Sequence, residues 1–117
     1  DAVVVMHARP VGRGYVHLRE TGRGPWPTGH GADAPPIRAH EFHYSSLENM
    51  PSDSRFAYRV ARGHGIDGKS DGYIRNNLLA SYTHLRTIGS CYWASRFVAF
   101  VRKIKKGEQT LPLQAAL

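Results

Sequence analysis

The sequence predicts one α/β domain that is rich in strands and carries a single helix near its C-terminus. Its 117 residues suffice for one domain with a buried core, and its 41% hydrophobic and 21% charged residues are typical of a globular protein. Short runs of β-branched and aromatic residues, separated by glycine and proline, recur as far as Thr83 and favour strands. After Ser90 the apolar residues recur at helical spacing instead. This set of elements is incomplete for a doubly wound α/β fold.

The N-terminal part of the chain predicts three strands and one long loop. Val3–Met6 is a β-branched run closed by turn residues, and residues 15–20 are rich in strand-forming side chains. Glycine and proline recur through residues 21–36, so we expect a loop there because neither a helix nor a strand ladder can propagate. Residues 37–45 form the third predicted strand, which carries two histidines, a glutamate and a tyrosine.

The strand predicted at residues 37–45 divides its polar side chains between two faces. Side-chain alternation predicts two sets that face opposite ways, namely His40, Phe42 and Tyr44 against Glu41, His43 and Ser45. Glu41 and His43 are then neighbours on one face. Because His40 and His43 face opposite sides, they cannot both bind one metal ion, and we predict no metal site.

The middle of the chain predicts three further strands separated by tight turns. Arg55–Arg62 alternates apolar and polar residues, and the glycine-dominated residues 63–68 predict a turn into a short strand at 72–75. The glycines around His64 resemble a phosphate-binding loop, but no helix follows them, so we favour a hairpin turn. Residues 78–83 predict a mostly apolar strand, buried on both faces if it lies centrally.

One helix is predicted after Ser90, which is a good N-cap residue. Its apolar residues recur three and four positions apart and would face one core: Trp93, Phe97, Val101 and Ile104. The helix would run to about Lys105 and stop at Gly107. We therefore divide the chain into a domain over residues 1–106 and a tail over residues 107–117.

Charge and cysteine content narrow the class of protein. A net charge of +7 would suit a nucleic acid or an anionic ligand, but the basic residues cluster only at 102–106, where they complement a helix C-terminus. Nucleic acid is therefore not expected as a partner. The chain lacks a membrane-span or signal-peptide pattern, and its one cysteine, Cys91, fits a reducing compartment, so we expect a cytoplasmic setting. The start in an apolar run without methionine predicts a processed or excised piece.

Two hypotheses about chemistry involve His84. It precedes Cys91 by seven residues, so a nucleophilic cysteine–histidine pair is one interpretation, helped if a helix dipole lowers the pKa of the thiol. The alternative, which we favour, is that Cys91 is a small core residue. His84 itself follows an apolar strand, where open α/β sheets place catalytic groups, although a simply packed histidine is the other interpretation.

Three stretches, taken together and in this order, resemble a known family. They are HARPVGRGY at residues 7–15, HEFHYS at 40–45 and ASYTHL at 80–85, followed by an aromatic-rich helix. The combined pattern resembles the C-terminal part of cobyrinic acid a,c-diamide synthase over residues 1 to about 105. The resemblance implies a partial class I glutamine amidotransferase domain with a flavodoxin-like α/β fold. In the family this domain follows an ATP-using synthase domain, which amidates carboxylates of tetrapyrroles such as cobyrinate, or sirohaem in a close branch.

The resemblance also implies roles for individual residues. His84 would be the catalytic general base that activates a cysteine to attack glutamine, while Glu41 and His43 would line or brace the site. Ammonia from glutamine would reach a tetrapyrrole carboxylate activated by ATP. ATP and Mg²⁺ are implied for the absent synthase domain, and no cofactor is expected in this chain. Because the family's nucleophile lies upstream of Asp1, we expect the isolated chain to be inactive. Because it also lacks the synthase domain, we expect it not to bind ATP.

Two positions depart from the family pattern, and an alternative function remains. The family usually has glycine at the position of Ala39 and histidine at that of Arg86, where many class I amidotransferases carry a glutamate. The alternative is a non-catalytic module that binds an anionic ligand or a tetrapyrrole, which the charge of +7 and the missing nucleophile favour. A truncated sheet would leave an edge unpaired, so we also expect a homodimer or strand exchange.

Overall fold

The computed structural model describes residues 1–29, 33–89 and 91–107, which form eight strands and one helix. The elements in chain order are β1 (Val3–Met6), β2 (Gly12–Glu20), β3 (Ile37–His43), β4 (Ser45–Glu48), β5 (Arg55–Arg62), β6 (Ser70–Arg75), β7 (Leu78–Ala80), β8 (His84–Leu85) and α1 (Trp93–Lys105). The predicted strand-rich α/β composition with one C-terminal helix is confirmed. No helix among the described residues is long and apolar enough to cross a membrane.

The strands form two separate antiparallel sheets. Six of them pair in the order β7-β6-β5-β2-β3-β8, and β1 pairs with β4. Every strand pair among the described residues is antiparallel, whereas a doubly wound sheet is mostly parallel. The flavodoxin-like part of the predicted fold is therefore not visible in the described part of the chain. The turn at residues 63–68 joins the antiparallel pair β5 and β6, as the hairpin interpretation predicted.

The large sheet must be strongly coiled, because a very short segment joins its two edges. β7 and β8 lie at opposite ends of the strand order, yet only residues 81–83 connect them. The four steps from Ala80 to His84 span at most about 14 Å when fully extended. The edges of a flat sheet of six strands would lie about 24 Å apart. The sheet therefore curls until its first and last strands approach each other.

The core lies on the concave face of this coiled sheet. Its buried hydrophobic cluster comes from β2, β3, β5, β6 and the segment before α1: Val16, Leu18, Ile37, Ala39, Ala57, Tyr58, Ile74 and Cys91. β3 alternates strictly between buried and exposed side chains, as its sequence predicted. Its register with β2 places Val16 opposite Ala39 and Leu18 opposite Ile37, so the two strands present their apolar side chains together.

The strand predicted at residues 78–83 is wrong in length, and it does not have the central position on which its predicted burial depended. β7 ends at Ala80 and lies at the edge of the sheet, where Leu78 is 52% exposed. His84 begins a separate two-residue strand at the opposite edge. The backbone breaks between them because the N–H groups of Tyr82 and Thr83 donate to the Asp71 carboxylate instead of to a neighbouring strand.

The helix ends at Lys105, as predicted, but it starts at Trp93, later than a cap at Ser90 implies, and it does not have the predicted packing. Of its apolar face only Phe100 is buried, while Phe97, Val101 and Ile104 are between 37% and 46% exposed. The expectation that these residues face one core is therefore wrong for the described part of the chain. The N-cap residue is Tyr92, whose side chain makes no capping hydrogen bond. The predicted cap, Ser90, lies outside the described residues, as does the predicted tail beyond Gly107.

Candidate functional site

A buried carboxylate lies at the centre of the first group of polar residues. Glu41 is 1% exposed because strand alternation turns it towards the concave face of the sheet. Its carboxylate accepts hydrogen bonds from His43 Nε2 at 2.9 Å, from the His64 N–H at 2.7 Å and from the Gly65 N–H at 2.9 Å. The turn between β5 and β6 thus closes over β3 through two backbone donors.

Glycine at two positions makes this close approach sterically feasible. Gly12 lies opposite His43 in the β2–β3 register, and a Cβ atom there would overlap both the His43 ring and the Glu41 carboxylate. Gly63 has a φ of 114°, a conformation that residues with a side chain rarely adopt, and a Cβ there would meet Val16. The sequence around Glu41 therefore leaves room for the carboxylate and its donors only because these residues lack side chains.

The surroundings of Glu41 favour its ionised form. Burial by itself would raise the pKa of the carboxyl group, but the hydrogen bonds from His43 and from the His64 and Gly65 N–H groups outweigh it. The pKa of Glu41 is therefore lower than its ordinary value. The ionised Glu41 carboxylate lies 2.9 Å from His43 Nε2, within the distance of a charge-assisted hydrogen bond.

His43 is fully engaged in holding this region together. Its Nδ1 donates to the Ser45 carbonyl at 2.8 Å, and its ring stacks on Tyr82 with the centroids 3.9 Å apart. The Tyr82 hydroxyl in turn lies 2.9 Å from Ser45 Oγ. Since both ring nitrogens already have acceptors, His43 acts as a brace between β3 and the segment that leads to His84.

A groove on the opposite, exposed face of the sheet contains His84. Its volume is about 800 Å³, and seven of the described residues form its polar lining: Tyr15, His17, Arg38, His40, Arg62, His84 and Arg86. Cross-strand pairing arranges them in rows, because Tyr15 and His84 both pair with His40 in the register. The Tyr15 and His40 rings make an edge-to-face contact at 6.0 Å.

This groove is basic. Three arginines and three histidines line it, and none of its described lining residues is acidic. His17 pairs with Arg38 on one side and with Arg62 on the other, which places a cationic row beside the row of His84. Such a surface attracts carboxylates and phosphates.

The structure separates the predicted site residues into two groups. His84 on β8 and His40 on β3 both face outward into the groove. Glu41 and His43 are also on β3 but lie on its buried, inner face. The two groups connect through Tyr82, which stacks on His43 and lies two residues before His84. His40 and His43 face opposite sides, as predicted, and no group of three or more potential metal ligands occurs among the described residues.

Sequence reasoning missed Asp71. This residue is 0% exposed, and its two carboxylate oxygens accept the N–H groups of Tyr82 at 3.1 Å and of Thr83 at 2.9 Å. A single acidic residue in a short strand carries no periodic signal, because its partners lie more than ten positions away in the sequence. The predicted strand covered only residues 72–75 and left Asp71 just outside it, whereas in the structure Asp71 belongs to β6.

Comparison with known proteins identifies relatives of the chain. A cobyrinate a,c-diamide synthase of Magnetococcus marinus is 41% identical over 100 residues, which cover 86% of this chain and 21% of that protein. This chain is related to the cobyrinate a,c-diamide synthases. The synthase of Methanocaldococcus jannaschii is 43% identical over 64 residues, 55% of this chain and 14% of that protein. The synthase of Archaeoglobus fulgidus is 42% identical over 69 residues, 59% of this chain and 15% of that protein.

The family resemblance predicted from the three motifs is thereby confirmed. It covers most of this chain but only a small part of the relatives. The chain spans about a fifth of the length of the Magnetococcus synthase. No family model matches the chain, and no solved structure matches it.

The two departures from the synthase motifs have different structural consequences. Ala39 is buried opposite Val16, and positive backbone φ angles at described non-glycine residues occur only at Asn49 and Asn76, so alanine fits without strain. Arg86 lines the groove beside His84. A cation therefore occupies the position where many amidotransferases carry a glutamate.

Cys91 is a core residue, as the favoured interpretation predicted. It is 7% exposed within the hydrophobic cluster and lies before α1 rather than in its first turn. Burial raises the pKa of its thiol, and the backbone N–H of Trp93 opposes this only in part. The expected help from a helix dipole is therefore wrong, and Cys91 faces the core whereas His84 faces the groove.

Proposed function

We propose that this chain is the C-terminal half of a class I, flavodoxin-like glutamine amidotransferase domain within a tetrapyrrole-amidating synthase. In this proposal residues 1–106 belong to that domain and residues 107–117 form a tail. The observation that carries it is the 41% identity to a cobyrinate a,c-diamide synthase over 86% of the chain. The exposure of His84 in a basic groove supports it further.

His84 would serve as the general base for glutamine hydrolysis. Its imidazole takes the proton of a cysteine thiol supplied from outside this chain, and the thiolate attacks the carboxamide carbon of glutamine. The proton then passes to the departing ammonia, and water hydrolyses the resulting thioester to glutamate. Ammonia is consumed in the synthase domain, where ATP and Mg²⁺ would activate the acceptor carboxylate. The acceptor in this proposal is cobyrinate, or sirohaem as in a close branch.

The groove supplies an electrostatic reason to place carboxylate ligands near His84. Glutamine, glutamate and the tetrapyrrole acceptor all carry carboxylates, and the groove presents Arg38, Arg62 and Arg86 around the histidine. The buried Glu41 and His43 would brace the same region from the inner face through Tyr82. Neither of them would contact the substrate. A cytoplasmic location is part of this proposal.

The test is glutamine hydrolysis by the natural polypeptide that contains this chain, whatever its length. Because general-base catalysis contributes about 100-fold or more, His84→Gln should lower kcat by at least that factor. His7→Gln is the matched control, since His7 is exposed and bonds to Ser46 outside the groove. Full glutaminase activity in His84→Gln would contradict the assignment. Activity of the isolated chain that survives Cys91→Ser would contradict the proposed need for an outside nucleophile.

The basic groove also favours a second candidate, a non-catalytic module that binds an anionic ligand or a tetrapyrrole. Its support is the net charge of +7 together with a groove whose described lining residues include three arginines and no acidic residue. Cobyrinate binding by the natural polypeptide, without any glutaminase activity, would favour this candidate. Glutaminase activity that depends on His84 would exclude it.

A further inference from the structure

Asp71 holds the backbone immediately before His84. It belongs to β6, is completely buried, and accepts one hydrogen bond on each carboxylate oxygen from the consecutive N–H groups of Tyr82 and Thr83. Hydrogen bonds to an ionised carboxylate are stronger than those between neutral groups. The two bonds fix the orientation of two successive peptide groups, and His84 is the next residue.

A second anchor acts on the same segment. The Tyr82 ring stacks on His43, which is itself held by Glu41, and the Tyr82 hydroxyl reaches Ser45 Oγ. The Thr83 side chain is 3% exposed. Two consecutive residues are therefore held on the inner side of the sheet, and the chain emerges at His84 on the groove side.

The strand that contains His84 is too short to position the imidazole without help. β8 has two residues, and its register contains only the pairs His84–His40 and Leu85–Ala39. Strands are usually three to ten residues long, so two residue pairs at an edge fray easily. The direction in which the chain enters β8 then decides where the His84 side chain lies, and Asp71 sets that direction.

We propose that Asp71 is a positioning residue for His84, which it aims into the groove by clamping the Tyr82 and Thr83 backbone. This inference rests on the proposed role of His84 as general base. Asp71 itself touches no substrate. Its effect reaches the reaction only through the geometry of the histidine, and displacement by about 1 Å is enough to cost about 100-fold in rate.

The experiment measures kcat and KM for glutamine hydrolysis in the natural polypeptide that contains this chain. Asp71→Asn keeps the volume and one acceptor oxygen, so kcat should fall about 10-fold, whereas Asp71→Ala removes both acceptors and should cost about 100-fold. KM should stay within about twofold, because substrate contacts are unchanged. Rates are expressed per active site, titrated with a diazoketone analogue of glutamine that alkylates the nucleophilic cysteine.

Asp67→Asn is the matched control. Asp67 also accepts two backbone N–H groups, from Lys69 and Ser70, but it is exposed in the turn between β5 and β6. This control should keep the unsubstituted kcat. The pH profile of kcat in Asp71→Asn should keep its shape, because His84 remains the base and only its placement changes.

Hydrogen exchange on the same polypeptide provides a readout that does not depend on activity. The Tyr82 and Thr83 amide protons should exchange at least about 10-fold faster in Asp71→Asn than in Asp67→Asn. Equal exchange in the two variants would overturn the proposed clamp.

The outcomes separate this proposal from the proposed function. An inactive His84→Gln together with an unchanged kcat per active site in Asp71→Ala would overturn the role of Asp71 and leave the function standing. A reduced yield of folded Asp71→Ala protein with a normal kcat per active site would also overturn the positioning role, because it would show that Asp71 acts only on folding. Full activity in His84→Gln, or no glutaminase in the unsubstituted polypeptide, would overturn both.

Discussion

At the scale of single residues, Glu41 shows how a charged group can be accommodated in a small core. An unpaired buried carboxylate would destabilise the fold by several kcal/mol. Three hydrogen-bond donors satisfy the Glu41 carboxylate, and Gly12 and Gly63 leave room for them because they lack side chains. These hydrogen bonds offset the cost of burying the carboxylate. The lowered pKa of Glu41 means that the folded state binds its proton less tightly than the unfolded chain does. Glu41 therefore stabilises the fold only while it is ionised.

Glu41→Gln should destabilise the protein in a pH-dependent way. At pH 7 the free energy of unfolding should fall by about 1.5–3 kcal/mol, the usual contribution of a hydrogen bond to a charged group. Because the folded pKa is lowered, the stabilisation by Glu41 is complete above the ordinary pKa of 4.5 and is lost as the pH falls through the folded value. The difference between the variant and the original should therefore shrink as the pH falls below that ordinary value.

Urea unfolding over a series of pH values measures this difference. Glu48→Gln is the control, since Glu48 is an exposed residue at the end of β4, and it should change the midpoint little at any pH. An equally large deficit for Glu41→Gln at pH 7 and at pH 3 would show that shape, rather than charge, explains the effect.

At the scale of elements, α1 docks through the loop before β3 and through Trp93 at its start. Trp26 contacts Phe97 with ring centroids 4.9 Å apart and Phe100 at 5.2 Å. Trp93 packs against the core at the start of the helix. Among the described residues these contacts lie at the start of α1 and at Phe97 and Phe100, and most of the remaining apolar face of the helix is exposed.

Trp26→Ala should loosen α1 without unfolding the sheet. Loss of two aromatic contacts should cost at least about 1 kcal/mol, because such pairs contribute about 0.5–1.5 kcal/mol each beyond the area that they bury. Amide hydrogen exchange should become faster in α1 but not in β2 or β3. Trp26→Phe is the control and should retain most of the protection. Equal protection of α1 in Trp26→Ala and in the original chain would mean that other contacts hold the helix.

At the scale of the whole molecule, the chain exposes much apolar surface for its size. Val4 and Met6 on β1 are 62% and 70% exposed, and much of the apolar face of α1 is exposed within the described residues. Among the residues that the structure describes, β1 also pairs with a strand on only one side. Exposed strand edges and apolar faces promote association, so the homodimer or strand exchange expected from the sequence remains a prediction.

Sedimentation of the isolated chain at increasing concentration tests that prediction. The average mass should rise with concentration. Replacing an exposed valine by lysine should suppress this rise if that valine lies in the contact between two copies of the chain. Val4→Lys probes the edge of β1, and Val101→Lys probes α1. Each variant serves as the control for the other. A single monomeric species at every concentration would contradict the prediction.

The sequence by itself determined the local elements, the face of each side chain on β3 and the family. Strand alternation and turn glycines act over a few residues, so Arg55–Arg62, the turn at 63–68 and the shared face of Glu41 and His43 could be inferred directly. The three motifs that indicated the synthase family are likewise contiguous runs of residues. Local patterns of this kind do not depend on how the sheet is assembled.

Only the tertiary structure decided where His84 lies and what holds it. The coiling of the sheet brings its two edge strands close together. The chain can therefore leave β7 at Ala80 and enter β8, at the other end of the strand order, at His84. The Asp71 clamp and the stack of Tyr82 on His43 join residues that are distant in the sequence. Two constraints govern this arrangement: the short length of the three-residue connection and the need of buried N–H groups for acceptors. Neither constraint produces a periodic pattern in the sequence.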